Sequence, residues 1–516
     1  MAKWLEQAIF YEIYPQSFKD TNADGIGDFK GIESKLSYIK ELGCNAIWMN
    51  PCFESPFGDA GYDVSDYYTV APRYGTNEDL KNIFEKAHEL GMHVLLDLVP
   101  GHTSIEHKWF QESKKAHKNE FTDRYVWTDS VWEEPQGMAC IKGISDRDGC
   151  CAVNFFSHQP ALNYGFYKPD PDKKWQQSVD SEGPRATLKE LKNIMRFWLK
   201  MGCDGFRVDM AGSLVKNDED GKGTIRLWQN VRQFLDKEFP EAVMVSEWGE
   251  PDKSLIGGFH MDFLLHFGPS HYNDLFRCEE PFFSSRGKGD IAAFVAKYVE
   301  NYKKTKGKGL ICIPSGNHDM DRLARRLSPE EIKIAFAFLL SMPGAPFIYY
   351  GDEIGMRYVE NLTSVEGGYG RTGSRSPMQW DDSNNAGFSN ARPDKLYIPV
   401  DSAPDRPTVL NQMADDNSIY HEVRRLISIR KEHEALSNRG EIEFVYAKEN
   451  TYPLAYLRSF GDEKIFVILN PSDKEQKFEC KYHISEAVYS AGGSCTASGD
   501  IITVAPCTAG FYTVQA

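Results

Sequence analysis

The sequence predicts an α/β protein: a (β/α)8 TIM barrel with a domain inserted after the third strand and an antiparallel β-sandwich at the C-terminus. Three observations support this prediction. Eight short apolar runs, each bounded by turn residues, are typical of buried parallel strands. Amphipathic segments separate several of these runs, and after about residue 437 the pattern changes to short alternating runs. The eight candidate strands cover residues 8–14, 44–50, 92–99, 205–210, 242–248, 261–267, 310–315 and 346–351.

Helical periodicity occurs between the candidate strands. The clearest segments run from Asn77 to Leu90, from Leu188 to Met201 and from Ile225 to Glu238. Their apolar residues recur at three- and four-residue spacing, which places them on one face of a helix. A helix that connects two strands of one sheet makes those strands parallel, and eight such units close into a barrel.

Two long stretches interrupt this alternation. Residues 103–175, rich in Trp, Lys, Asp and Gly, exceed an ordinary connection between a strand and a helix, so we expect an inserted domain there. Residues from about 355 to 415, rich in Gly, Ser, Asn and Pro, follow the eighth strand and indicate an active-site loop region. The predicted organisation is a barrel of residues 1–102 and 176–435, an inserted domain of residues 103–175, and a β-sandwich of residues 436–516.

The charge of the chain argues against a polyanionic partner. The formal net charge is −16 and the pI is near 5.4, whereas nucleic acids and anionic membranes select basic surfaces. The first residues lack a long apolar stretch, so we expect no secretory signal and a cytoplasmic location. The stretch from Ile334 to Tyr350 contains two prolines and a glycine, which favours a helix, a turn and a strand over a membrane span. We therefore expect a small uncharged substrate; the oligomeric state is left open.

Three acidic residues each follow a candidate strand: Asp209 in GFRVDM, Glu247 in VMVSEW and Asp319 in SGNHD. The C-terminal ends of barrel strands converge on one face, so we expect these carboxylates to meet there, which suggests glycosidic chemistry. Arg207 lies two residues before Asp209, on the same side of the strand. We expect it to lower the pKa of Asp209 and keep that residue ionised as a nucleophile. A purely structural Arg–Asp pair is the alternative. The apolar run before Glu247 suits a general acid.

Four blocks in order, DLVPGH (97–102), GFRVDM, SEWG and SGNHD, resemble the first four sequence blocks of the α-amylase superfamily of glycoside hydrolases. AGYDVSDY, QPALN and GDEIGM add three more, so the resemblance covers essentially the whole chain. It implies that Asp209 is the nucleophile, Glu247 the acid/base and Asp319 the carboxylate that grips the distorted sugar. It also implies a substrate subsite lined by Tyr62 under the sugar ring, His102, Arg207 and His318.

Asp59 and Arg371 occupy positions that resemble the pair closing the pocket in oligo-1,6-glucosidases. Such a pair blocks further subsites and makes the enzyme exo-acting. The resemblance therefore implies a retaining α-glucosidase that releases terminal glucose from malto- or isomalto-oligosaccharides or sucrose. A transglucosidase or isomerase such as a trehalose synthase, an endo-acting α-amylase, and a non-catalytic binding protein with this fold are the alternatives. Ala161 stands where oligo-1,6-glucosidases have Asp, which leaves the preferred linkage open.

The segment DTNADGIGD (20–28) resembles a metal-binding loop. If the segment is aligned with an EF-hand loop, the first five ligand positions are occupied by Asp20, Asn22, Asp24, the Ile26 carbonyl and Asp28. Position twelve is Gly31 rather than Glu, which excludes a full EF-hand; an Asx-rich turn without metal is the alternative. The resemblance implies a structural Ca²⁺ or Mg²⁺ remote from the reaction, and no cofactor for catalysis. Gly101 replaces the Asn that binds calcium in many amylases, so we expect no ion there.

Overall fold

Eight parallel strands form one sheet, and they are β1 (Phe10–Ile13), β2 (Ala46–Met49), β3 (His93–Leu98), β4 (Gly205–Val208), β5 (Val243–Ser246), β6 (Met261–Phe263), β7 (Leu310–Cys312) and β8 (Phe347–Tyr349). The computed structural model describes residues 2–135, 137–287 and 289–514. The strands follow one another around the sheet, and β8 pairs with β1. Pro314, just after β7, also pairs with Phe347, which brings the two ends of the sheet together. All eight predicted strands, and the barrel they imply, are confirmed.

Aromatic side chains fill the centre of the barrel. Phe10 and Phe347 stack with ring centroids 4.2 Å apart, and Phe263 packs edge-on against Phe347 at 4.7 Å. Trp48 lies 5.5 Å from Phe263, and its indole N–H donates to Asp97. The Trp48–Phe263 and Phe263–Phe347 contacts cross the interior of the barrel, because β2, β6 and β8 are not neighbours in the sheet. This close-packed aromatic layer therefore holds an adjacent polar side chain such as Asp97 in a fixed position.

The α-helices span Phe29–Leu42, Asn77–Glu89, Lys108–Ser113, Glu182–Met201, Lys222–Glu238, Pro251–Ser254, Tyr272–Phe276, Ile291–Thr305, Pro329–Ser341, Val409–Ala414 and Ile419–Glu432. Short 3-10 helices span Lys3–Gln7, Pro15–Ser17, Ala211–Ser213, Leu323–Arg325, Asp352–Ile354, Tyr369–Arg375, Asn384–Gly387, Pro393–Lys395 and Glu434–Leu436. Two predicted helices begin earlier than their apolar spacing indicated, at Glu182 and Lys222. The first turn of a helix is often polar, so apolar periodicity does not mark it.

The stretch from Ile334 to Tyr350 has the predicted form. The helix Pro329–Ser341 ends in a turn, and β8 follows. Within the three described ranges, no helix is both long and apolar enough to cross a membrane.

The region after β3 carries little regular structure. It contains the helix Lys108–Ser113 and an antiparallel pair formed by Cys140–Ile141 and Cys151–Ala152. A second antiparallel pair, Phe53–Glu54 with Asp66–Val70, follows β2. A small apolar cluster separate from the main core comprises Val126, Ala152, Ala161, Phe166 and Trp175. The boundaries of the inserted domain and of the other predicted domains stay predictions.

The C-terminal strands are β9 (Glu441–Tyr446), β10 (Leu454–Phe460), β11 (Glu463–Asn470), β12 (Gln476–Glu479), β13 (Ile484–Ala491), β14 (Cys495–Ser498), β15 (Ile501–Val504) and β16 (Thr508–Val514). They form two antiparallel sheets, with the orders β9-β10-β11-β16-β13 and β12-β15-β14. One apolar cluster contains Phe466 and Ile468 from the larger sheet and Phe478 and Ile502 from the smaller. The two sheets therefore share a core, which confirms the predicted β-sandwich.

Candidate active site

Asp209 and Glu247 follow the neighbouring strands β4 and β5. The amide of Asp209 donates to the Leu98 carbonyl and that of Glu247 to the Val208 carbonyl, each at 2.9 Å, so the parallel ladder continues one residue beyond each strand. Met210 then adopts a left-handed conformation (φ 43°, ψ 42°), and its N–H donates to the Glu247 carboxylate at 3.0 Å. Residues other than glycine rarely adopt this conformation, so the backbone is strained directly beside the two acids.

Arg207 joins the two carboxyls. It is buried, with Nη1 3.0 Å from Asp209 and Nη2 3.0 Å from Glu247. Nη1 also lies 2.9 Å from Asp97 on the adjacent strand. The Arg–Asp contact expected from the sequence is present, and the same guanidinium holds Glu247 beside Asp209.

The expected lowering of the Asp209 pKa is wrong. Burial raises the pKa of Asp209 well above its ordinary value, the neighbouring Glu247 raises it further, and Arg207 opposes both. One guanidinium shared by three carboxyls cannot neutralise all of them. Ionisation of Asp209 is therefore unfavourable in the free enzyme, and the contact with Arg207 opposes this cost.

Asp319 lies beside two guanidinium groups and one imidazole. Its Oδ1 is 2.6 Å from Arg371 and 2.9 Å from Arg375, and its Oδ2 is 3.3 Å from His318 Nε2. Burial alone would raise the pKa of Asp319, but His318, Arg375 and Arg371 hold it well below its usual range. Asp319 is thus an ionised carboxylate at neutral pH, able to accept hydrogen bonds from sugar hydroxyls.

Both histidines use both ring nitrogens. His102 Nε2 lies 3.0 Å from the Tyr62 carbonyl, and its Nδ1 lies 3.1 Å from the Asn154 side-chain amide. Burial lowers the pKa of His102 to about 4, so the ring is neutral and donates from Nε2. His318 Nδ1 lies 2.9 Å from Glu12, and its Nε2 lies 2.7 Å from the Tyr62 hydroxyl. Through these contacts both histidines hold Tyr62 in position. Both also lie close to the space in which a substrate would bind.

The acids border a cavity of about 600 Å³. Of the residues proposed from the sequence, the cavity wall contains Asp59, Tyr62, His102, Asp209, Glu247, Asp319 and Arg371. Arg207 and His318 do not line the cavity, but each contacts residues that do. Arg207 contacts Asp209 and Glu247, and His318 contacts Tyr62 and Asp319. Asp59 accepts a hydrogen bond from Gln159 at 2.7 Å, and its other oxygen lies 3.9 Å from Arg371. The cavity wall therefore carries a carboxylate and a guanidinium that lie close to each other.

Three aromatic side chains surround the mouth of this cavity. Phe155, Phe267 and Tyr369 line it, and their exposed fractions are 57%, 48% and 65%. Because all three line the same cavity, they offer apolar surface to a ligand that enters it. Aromatic faces at a pocket mouth suit the apolar faces of sugar rings.

Residues 12–439 match the model of the α-amylase catalytic domain. The match covers most of the chain and includes all three acids. The chain belongs to the α-amylase family. It is a glycoside hydrolase enzyme, as the resemblance of its sequence blocks implied.

Similar sequences in the α-amylase family have more than one activity. The oligo-1,6-glucosidase of Parageobacillus thermoglucosidasius is 33% identical, and the alignment covers 93% of this chain and 92% of that protein. The trehalose synthase/amylase TreS of Mycolicibacterium smegmatis is 31% identical, with coverage of 88% and 80%.

The trehalulose synthase MutB from Pseudomonas mesoacidophila MX-45 has a similar solved structure. It is 27% identical, covers the whole of both chains and has a TM-score of 0.84. A mutant of MutB has been solved with sucrose, and an inactive double mutant has been solved with isomaltulose. This chain is thus similar both to a protein named as a glucosidase and to proteins named as sugar synthases.

The proposed metal loop at residues 20–28 contains successive Asx turns. In each turn a side-chain oxygen accepts a hydrogen bond from the backbone N–H two residues farther on. The oxygen of Asp20 accepts from Asn22 at 3.0 Å, that of Asn22 from Asp24 at 2.9 Å, and that of Asp24 from Ile26 at 2.8 Å. Asp28 caps the helix Phe29–Leu42. Carboxylate, amide and carbonyl oxygens are the donors that Ca²⁺ and Mg²⁺ prefer, so the types of donor in the loop suit such an ion. Among the described residues, however, the carboxylates of Asp20, Asp24 and Asp28 do not form a group of closely spaced donors. The metal site stays a prediction.

Sequence reasoning missed several groups at the site. Arg375, buried against Asp319, lies four residues after Arg371, and the second Arg of GYGRTGSR was the signal that could have found it. Asp97 opens the block DLVPGH, but its contact with Arg207 depends on the register of β3 against β4. Of the three aromatic residues at the mouth, Phe155 and Phe267 lie on loops and Tyr369 begins a short 3-10 helix, so none of them carries a periodic signal.

Proposed function

We propose that this enzyme is a retaining α-glucosidase that releases terminal glucose from short α-glucosides. The observation that carries the proposal is the pair of carboxyls held by Arg207 in the wall of one pocket. Asp209 attacks the anomeric carbon while Glu247 gives its proton to the departing glycosidic oxygen, which leaves a β-glucosyl ester on Asp209. Glu247 then takes a proton from water, and that water attacks the same carbon and releases α-glucose and the Asp209 carboxylate.

The Asp59–Arg371 contact supports exo-action. A chain extended beyond the terminal glucose would have to pass between the two charged groups, and Arg371 is anchored to Asp319. A closed end of this kind accepts one terminal unit rather than an internal segment of a polysaccharide. An endo-acting α-amylase needs an open cleft, so this contact argues against that alternative.

Asp59 gives this proposal a pH dependence. Burial raises the pKa of Asp59 to about 6, although Gln159 and Arg371 oppose the shift. As the pH falls through about 6, Asp59 gains a proton and loses its attraction for Arg371. We expect KM for p-nitrophenyl α-glucoside to rise about three- to tenfold over this range, whereas Asp59→Asn should have a high KM without this step. A variant that retains the step would show that another group titrates there.

A sugar-rearranging enzyme is the second candidate, and the similarity to trehalose synthase/amylase TreS and to MutB supports it. In that reaction a sugar hydroxyl rather than water attacks the glucosyl ester. Incubation with maltose, isomaltose, sucrose and trehalose, followed by product analysis, separates the two. A hydrolase releases glucose from its substrate, whereas an isomerase converts maltose to trehalose or sucrose to another disaccharide. A non-catalytic binding protein would produce neither, and the three acids argue against it.

We also propose that Asp20, Asn22, Asp24, the Ile26 carbonyl and Asp28 hold a structural Ca²⁺ or Mg²⁺. A chelator should then lower the midpoint of thermal unfolding by about 2–5 °C, because the ion stabilises only the folded state. Adding CaCl₂ or MgCl₂ back should restore the midpoint; Asp24→Ala should abolish this response to the added ion, and Asp172→Ala, in an exposed position, should not. An unchanged midpoint of the wild-type protein in the chelator would contradict the site.

The remaining proposals concern the surroundings of the enzyme. We propose a cytoplasmic location, a small oligosaccharide as the substrate, and no association with nucleic acid or membrane. The acidic charge of the chain supports the proposal that it binds neither nucleic acid nor anionic membranes. Fractionation of the source cells with an antibody against the protein tests the location.

A further inference from the structure

His88, His93 and Asp204 form a cluster at the end of the barrel opposite the active site. His88 lies in the last turn of the helix Asn77–Glu89, His93 is the first residue of β3, and Asp204 directly precedes β4. Asp209 lies five residues farther along β4, about 16 Å away along an extended strand. The cluster is therefore separate from the catalytic groups.

The three side chains converge on one point. His88 Nε2 and His93 Nδ1 each lie 2.9 Å from an Asp204 oxygen, and the three donor atoms lie within 4.8 Å of one another. Among the residues that the structure describes, this is the one group of three or more His, Cys, Asp or Glu side chains with such closely placed donors. A metal with bonds of about 2.0–2.2 Å needs only small movements to reach all three.

Rigid elements hold each donor in place. The Asp204 side chain accepts from the Val94 amide at 2.8 Å, and its backbone pairs with β3 and β5. The His93 ring stacks on Trp4, with centroids 4.0 Å apart and an angle of 15° between the rings. The side chain of His88 is 42% exposed, so an ion and its water ligands can enter from solvent. Donors positioned before binding lose little freedom when the ion arrives.

We propose that His88 Nε2, His93 Nδ1 and Asp204 form a binding site for Zn²⁺ or a similar divalent transition metal, completed by water. Two imidazoles and one carboxylate are ligands that such ions prefer over Ca²⁺ and Mg²⁺. Each imidazole binds through a lone pair and carries its proton on the other ring nitrogen. The ion would join the end of one helix to the starts of two barrel strands, so it stabilises the barrel and takes no part in the reaction. Two histidines that only hydrogen-bond to Asp204 are the competing interpretation.

The test uses full-length protein stripped with a chelator and then supplied with CaCl₂, so that other oxygen sites are filled. ZnCl₂ is titrated calorimetrically into the wild type, His88→Gln and the control His117→Gln, which alters an exposed histidine elsewhere. We expect saturable binding by the wild type and the control, and affinity weaker by about tenfold or more for His88→Gln. Zn²⁺ should also raise the unfolding midpoint of the wild type and the control, but not that of His88→Gln.

Crystals soaked in ZnCl₂ locate the ion directly. The proposal predicts an anomalous peak at the zinc edge between His88, His93 and Asp204. Equal Zn²⁺ affinity of the wild type and His88→Gln, or no peak at this position in the wild type, would overturn the proposal and leave the hydrogen-bond interpretation.

Discussion

Replacing Asp209 with asparagine is expected to lower kcat by about 10⁴-fold or more. Asparagine keeps the shape of the side chain and can still contact Arg207, but it cannot form the glucosyl ester. Because burial and Glu247 raise the Asp209 pKa, the charge of this residue is unfavourable in the free enzyme. The neutral variant should therefore unfold at the same temperature as the wild type or a higher one at neutral pH.

The measurement is kcat on p-nitrophenyl α-glucoside together with a thermal unfolding curve. Asp220→Asn is the matched control, because Asp220 is exposed and pairs with Lys222 at the surface. This variant should behave as the wild type does. Turnover of the Asp209 variant within tenfold of the wild-type rate would remove this residue from the nucleophile's role. Loss of activity with a lower unfolding temperature would indicate damage to the fold instead.

Replacing Glu247 with glutamine should separate the two steps of the reaction. Glutamine cannot donate a proton, so we expect maltose turnover to fall by about 10²–10⁴-fold. p-Nitrophenolate departs without a proton, so this leaving group should still be expelled and the glucosyl ester should accumulate. Azide needs no general base, and it should attack the ester and restore turnover with α-glucosyl azide as the product.

The experiment follows p-nitrophenol release with and without sodium azide and identifies the sugar azide by NMR. Glu241→Gln, at an exposed position, is the control and should show no response to azide. Equal losses of rate on maltose and on p-nitrophenyl α-glucoside, without azide rescue, would exclude Glu247 as the acid/base.

The barrel was predictable because each strand is a short, mainly apolar run whose residues are almost all buried. The run at residues 261–267 is the instructive case. Only Met261–Phe263 is a strand, yet Phe263 crosses the interior to contact Trp48, and this packing explains why the run is apolar. Helix starts were less predictable, since a polar first turn does not show the spacing of the buried face.

The site was predictable where chemistry is local to a block and not where it depends on a distant partner. Asp209 and Arg207 lie two residues apart, and their contact follows from strand geometry alone. The pKa of Asp209 depends on Glu247, which lies 38 residues away and faces the same guanidinium. His88, His93 and Asp204 likewise converge only because β3 and β4 are neighbours in the sheet.

The central claim is that Asp209 carries the glucosyl group during turnover. The most direct measurement is mass spectrometry of peptides after brief incubation with 5-fluoro-α-glucosyl fluoride. The ring fluorine slows both steps by opposing positive charge in the transition state, while the fluoride leaving group keeps the first step fast enough for the ester to accumulate. We predict one fluoroglucosyl group on the peptide that contains Asp209, and none on Asp209→Asn. A label on another carboxyl, or turnover of this substrate without any labelled peptide, would contradict the double-displacement account.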